Sequence, residues 1–175
     1  MDEPTTKALV GCAELPPGMS RANYFKKLDF LEVAGIYSGS PSRKAVRAWR
    51  EKSPDSARFS VIAQAELSHA KGFNTDEGAQ ELVETLADYC SVLDAETVLF
   101  KTPPTYAPSA TNRDAARRFF DQVATAERFG STRRVWEADG LWEPNTVMAM
   151  AQELDLTVAI DPLAVIPEEV FAGRV

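Results

Sequence analysis

TDEGAQELVETLADYCSVLDAETVLFKTPP, residues 75–104, places a helix pattern and a strand pattern back to back. Ala79, Leu82, Val83, Leu86, Ala87 and Cys90 recur at i, i+3, i+4 spacing, which predicts an amphipathic helix over 75–93. ETVLFK at 96–101 then reads as a strand, closed by Thr102-Pro103-Pro104. A strand with so little polar alternation is covered on both faces, as in a parallel sheet flanked by helices.

The same unit repeats on either side. Upstream, RFSVIAQAEL at 58–67 predicts a third strand followed by an irregular loop over 68–74, and FLEVAGIY at 30–37 predicts a second, closed by Ser38-Gly39-Ser40-Pro41. Between them, Ala45, Val46 and Trp49 mark a helix that begins near Ser42 and stops at Ser53-Pro54-Asp55. KALVGCA at 7–13 opens the series, and Ser20 caps a short helix over 21–28 that carries Tyr24, Phe25 and Leu28 on one side. Downstream, Thr111-Asn112-Arg113-Asp114 has the form of a helix start, and a helix over 115–129 ends at Gly130. Strands are expected at 134–137 and 157–160, a helix between them at 144–154, and one further helical turn at 167–171.

Strand–helix alternation implies parallel pairing through right-handed crossovers. Doubly wound sheets and (β/α) barrels both satisfy it. No Gly-x-Gly-x-x-Gly or Walker A loop follows the first strand, so the nucleotide-binding doubly wound folds lose their main support and an α/β, parallel TIM-barrel-like fold is expected. About six strand–helix units are legible, against the eight of a complete barrel. The chain is therefore a fragment, an open barrel, or one of two copies that meet through exposed strand edges.

With 175 residues, 45% of them hydrophobic and 26% charged, the expectation is one globular domain, 1–175. No apolar run approaches a membrane span, and the acidic start Met1-Asp2-Glu3 is unlike a signal peptide, so a cytoplasmic protein is expected. Cys12 and Cys90 fit neither a disulfide framework nor zinc spacing, and both are expected to be reduced and buried. A net charge of −7 repels nucleic acid and anionic membranes. Arg113, Arg117 and Arg118 are interleaved with Asp114 and Asp121, as on a solvated helix face.

Barrel chemistry sits where strands end. Polar residues at those ends are Glu14, Glu32, Gln64, Glu66, Ser68, His69, Lys101, Glu137, Asp139 and Asp161. Alternation puts Lys101 with Leu99, Glu137 with Val135, and Asp161 with Ala159. If those faces point inward, Glu32, Glu137 and Asp161 are catalytic candidates, with Lys101, Tyr37, His69 and Trp142 as ligand contacts. An amine among carboxylates in a partly desolvated mouth can orient a ligand or shift a carboxyl pKa for acid–base work. Each residue also has a plainer reading. Glu137 and Asp161 would cap loop amides, Glu32 and Lys101 would form an ion pair, His69 would hold a loop, and Tyr37 and Trp142 would line a wall. The lone histidine rules out a His-rich metal site, and neither a metal nor a cofactor is expected.

Taken in order, the motifs resemble the YecE-like family, domain of unknown function family 72. The resemblance runs from 10 to about 162. It rests on Val10-Gly11-Cys12, on Phe30-Leu31-Glu32-Val33 with Tyr37 and Pro41, and on Phe59-Ser60-Val61 through Ser68-His69. It continues in Val98-Leu99-Phe100-Lys101-Thr102-Pro103-Pro104, Trp136-Glu137-Ala138-Asp139-Gly140-Leu141-Trp142 and Asp161-Pro162. The resemblance implies a TIM barrel whose activity is unassigned. Three positions depart from it: Ile62 and Asp139 stand where the family has lysine and arginine, and Lys101 stands where it has glutamine. Two functions follow as expectations. One is an enzyme or barrel that binds or hydrolyses a small polar molecule. The other is a degenerate relative kept for association with a partner or with itself.

Overall fold

The computed structural model of the chain describes residues 8–161. Six strands form one sheet in the order β1-β2-β3-β4-β5-β6: β1 (Gly11–Ala13), β2 (Phe30–Val33), β3 (Arg58–Ile62), β4 (Thr97–Thr102), β5 (Arg133–Ala138) and β6 (Thr157–Val158). Every neighbouring pair is parallel. The crossovers are α1 (Arg21–Tyr24), α2 (Arg43–Glu51), α3 (Glu77–Leu93), α4 (Ala110–Gln122) with α5 (Ala126–Phe129), and α6 (Pro144–Glu153). Among the described residues β1 and β6 do not pair with each other, so the sheet is open. The expected parallel (β/α) order holds throughout.

Local chemistry sets the helix starts. The side chains of Ser20, Ser42, Asp76, Ser109 and Thr125 each accept a backbone N–H three residues on, and α6 begins on Pro144, whose missing N–H costs nothing there. Helix α4 starts at this Ser109 cap rather than at Thr111. The helix expected over 115–129 is two helices, because Thr125 supplies a new cap and Gly130, at φ +59°, ends the second. The buried Arg134 guanidinium stitches these ends together. It donates to the carbonyls of Phe120, Ala124, Leu154 and Asp155, which the helix termini leave unpaired.

Two strands are shorter than their apolar runs suggest. FLEVAGIY pairs only to Val33 and then turns into a 3-10 segment, Ala34–Ile36. RFSVIAQAEL pairs only to Ile62, and Glu66–Ala70 forms a π-helical turn closed by the Lys71 N–H on the Glu66 carbonyl at 2.9 Å. Leu67 is buried in this turn, as a strand reading also expects, so an apolar run does not separate the two. The helical turn expected at 167–171 lies outside the described residues.

Cys90 is buried in α3, and burial pushes its thiol pKa up to about 12. Cys12, expected to be buried, is exposed instead: β1 is an edge strand and all three of its residues face solvent. Its backbone is nonetheless anchored. The Cys12 N–H donates to the Tyr24 hydroxyl, which donates in turn to the Phe30 carbonyl, both at 2.7 Å. At Gly11 a Cβ would stand 1.8 Å from the Phe30 oxygen, so β1 approaches β2 this closely only with glycine there. No helix among the described residues is long and apolar enough to cross a membrane.

The main core lies between the sheet and its helices. Phe100 is 1% exposed and meets Phe119, Phe120 and Phe129 edge-on at centroid distances of 5.2–6.0 Å. Its ladder partner Trp136 is equally buried. Phe100→Ala removes the ring that joins β4 to α4 and α5, and should cost about 3–5 kcal/mol in urea unfolding.

Candidate functional site

Side chains alternate along a strand, so the residues next to Phe100 and Trp136 point to the other face of the sheet. Those residues are Lys101 and Glu137, ladder partners at the C-terminal ends of β4 and β5. Lys101 Nζ lies 2.8 Å from Glu137 Oε1, with the two side chains 37% and 36% exposed. A pair this exposed contributes roughly 0–1 kcal/mol to stability, so its main effect is to hold an amine and a carboxylate in place. On the same face below them, Leu99 and Ile62 are buried and form an apolar floor.

Glu32 joins from β2. Its carboxyl is half-buried, and the loss of solvent raises its pKa; Lys101 pulls it back down and Glu137 pushes it up. Lys101 is raised above the ordinary amine value, chiefly by its hydrogen bond to Glu137, with Glu32 and Tyr37 adding to the effect. Glu32, Lys101 and Glu137 therefore lie within electrostatic reach of one another, and Tyr37 within reach of Lys101. Tyr37 extends the group outward: its hydroxyl is 3.2 Å from His69 Nε2, and His69 Nδ1 is 3.0 Å from the buried Ser68 hydroxyl.

The surrounding loops are tied down. The Thr102 hydroxyl donates to the Glu137 carbonyl at 3.1 Å. Gly140, at φ +85°, lets the loop after β5 approach the one after β4 so closely that a Cβ would stand 2.6 Å from the Pro104 oxygen. Beside Glu32, a cleft of about 230 Å³ opens along the end of β2, lined by Glu14, Leu31, Glu32, Trp49, Phe59 and Arg21. The Arg21 guanidinium lies over the Trp49 ring at 5.7 Å, and burial lowers its pKa.

The remaining candidates are placed differently. Trp142 is buried away from the ionic group. It stacks on Tyr106, meets Trp136 edge-on and donates its indole N–H to the Tyr106 carbonyl at 2.7 Å. Its ring packs into the core on the Trp136 side of the sheet, the face opposite Lys101 and Glu137. Asp161 is exposed beyond the C-terminal end of β6, at the last described position, and Asp139 is exposed after β5. Sequence reasoning gave no weight to Arg21, whose place over Trp49 depends on the crossing of α1 and α2. Among the described residues no group of three or more His, Cys, Asp or Glu side chains is arranged to hold a metal ion.

Fold and site together define a parallel, barrel-like α/β protein with an open sheet and an acidic, amine-bearing mouth at the strand ends. The chain belongs to the family described as Protein of unknown function DUF72, whose model matches residues 12–161. Two crystal structures of a DUF72 family protein from Enterococcus faecalis V583 share its fold. One has a TM-score of 0.63 at 16% identity over 80% of this chain and 52% of that one; the other has 0.60 at 16% identity over 82% and 61%. The chain thus spans between about half and three fifths of the length of the structures it matches. No curated protein matches it.

Glu32 binds its proton more tightly in the folded chain than in the unfolded one. The Glu32 contribution to folding stability is therefore fully present below the ordinary carboxylate range and is lost as pH rises through the raised value. Glu32→Gln should remove that part of the pH dependence and leave the protein at least as stable as wild type at pH 7. The gain should be under about 1 kcal/mol, because the half-exposed carboxyl is screened by solvent. Urea unfolding from pH 4 to 8 checks both points.

Proposed function

We propose that the mouth formed by Glu32, Lys101 and Glu137 binds a small polar molecule and supports acid–base, hydrolytic chemistry on it. The observation that carries this reading is the amine–carboxylate pair at 2.8 Å beside a second, desolvated carboxyl with a raised pKa. Two carboxyl groups in unlike environments divide the work of acid and base. Glu32 keeps its proton to higher pH and serves as the donor. Glu137, fixed by Lys101, offers the carboxylate that polarises water or a ligand hydroxyl. Asp161 stands at the same end of the sheet as a further carboxylate, and Tyr37 with His69 flanks the entrance as a ligand contact. Isoleucine at position 62, where the family carries lysine, leaves the mouth with one amine against two carboxyl groups. That charge suits a neutral or cationic ligand better than an anionic one.

A mixture of polyols, amino acids and carboxylates, screened by chemical-shift changes at the backbone amides of 32, 101 and 137, identifies the ligand class. Glu32→Gln, Glu137→Gln and Lys101→Met should each weaken that binding about tenfold or more, or roughly 1.4 kcal/mol. Unchanged affinity in all three removes the reading.

A second reading, association through the sheet edge, is favoured by a separate observation. β1 is exposed along its whole length, and Val10 just before it is 61% exposed. An uncovered parallel edge accepts another strand. Solution mass should then rise with concentration, and Val10→Lys should keep the chain monomeric; a wild-type monomer at millimolar concentration contradicts it.

A further inference from the structure

The cleft along the end of β2 is lined by charges of both signs that do not pair with each other. Arg21 and Trp49 form one wall, with the guanidinium over the indole at 5.7 Å. Arg21 has no ion pair among the described residues, and its shielded Nε has no hydrogen-bond partner there. Burial lowers its pKa, and no carboxylate opposes the shift. A partly buried cation is usually matched by an acid, because an unmatched one costs stability.

Two acids stand in the same cleft without matching it. Glu14 follows β1 at φ +75°, a left-handed conformation that residues with a side chain seldom adopt. Its N–H donates to the Glu32 carbonyl at 2.9 Å, which extends the β1–β2 ladder and holds Glu14 in that conformation. The Glu14 carboxylate leans toward Gly35, where a Cβ would stand 3.9 Å from Oε1, and Gly35 also lines the cleft. Glu32 adds its half-buried carboxyl. The rest of the lining is apolar, with Leu15, Leu31 and Trp49 in it.

We infer that this cleft is a second binding site, and that it takes a free amino acid with an apolar side chain. The fork of N–H donors on Arg21 receives the carboxylate. Glu14 accepts the ammonium group with Glu32 beside it, and the hydrocarbon side chain lies against Leu31 and Trp49. A carboxylate without an amine would face Glu14 and Glu32, and an amine without a carboxylate would face Arg21. At about 230 Å³ the cleft is smaller than the roughly 300–1,000 Å³ of pockets for drug-sized ligands, which sets the scale at one small molecule. The site shares only Glu32 with the mouth proposed above and needs neither Lys101 nor Glu137.

The probes are L-leucine, isocaproate, which lacks the amine, and isoamylamine, which lacks the carboxylate, each titrated into the isotope-labelled full chain. The Trp49 indole N–H and the backbone amides of 14, 21 and 35 should shift together and saturate with leucine by about 10 mM, while the core indoles of Trp136 and Trp142 stay in place. Arg21→Met, which keeps an unbranched stem against Trp49, should weaken leucine binding about tenfold or more. Glu14→Gln changes an exposed side chain without endangering the fold, and should weaken leucine by a similar factor. Unchanged leucine affinity in either variant overturns the assignment. Isocaproate or isoamylamine binding as tightly as leucine overturns the two-charge class. Leucine shifts confined to 101 and 137 remove the cleft and leave the mouth reading intact. No saturation at the cleft amides with any of the three sinks the inference, whatever binds at the mouth.

Discussion

The β4–β5 ladder governs most of what this chain does. It runs from Thr97 opposite Arg133 to Thr102 opposite Ala138, the longest continuous register in the sheet. Because side chains alternate, this one register sorts residues into two groups. Phe100 and Trp136 go to the helices and Arg134 goes with them, closing the helix ends it touches. Lys101 and Glu137 go to the other face, at the end of the strands where barrel proteins place their chemistry. A slip of one residue would send the aromatic rings to the mouth and the ion pair into the core.

The electrostatics of the mouth follow from that placement. Lys101 serves two carboxyl groups and satisfies only one of them at hydrogen-bond distance. Glu32 is left with partial compensation, and desolvation outweighs the attraction of the amine. The result is one carboxyl held by an amine and another that gives up its proton reluctantly. The stability gained from the exposed Lys101–Glu137 pair is small, so its worth lies in fixed geometry.

The strand order and the shared face of Lys101 and Glu137 were legible because both depend on local pattern, whereas the pairing of Lys101 with Glu137 rather than with Glu32 depends on the register of β4 against β5. Alternation within VLFK and VWE puts Lys101 and Glu137 on one face, and Pro103 and Asp139-Gly140 mark where the strands stop. What was not legible depends on long-range packing. Trp142 carries the same aromatic signal whether it lines a mouth or a core, and only its contacts with Tyr106 and Trp136 decide. Cys12 lies in an apolar run that reads as buried, yet β1 is the edge strand and its outer side has no neighbour among the described residues. The run ending in Leu67 changes from strand to π-helical turn, yet Leu67 is as buried there as a strand reading expects. Gln64 was visible as a polar residue within the expected third strand, but its lack of a partner among the described residues is a fact about its neighbours.

The most direct test of the central claim is the titration of the Glu32 side-chain carboxyl, followed by carbon-13 NMR in wild type, Lys101→Met and Glu137→Gln. If the three groups share one mouth, the wild-type midpoint lies above the ordinary carboxylate range. Removing the amine raises it further, and removing the second carboxylate lowers it. A Glu32 midpoint in the ordinary range that moves with neither substitution would contradict the account.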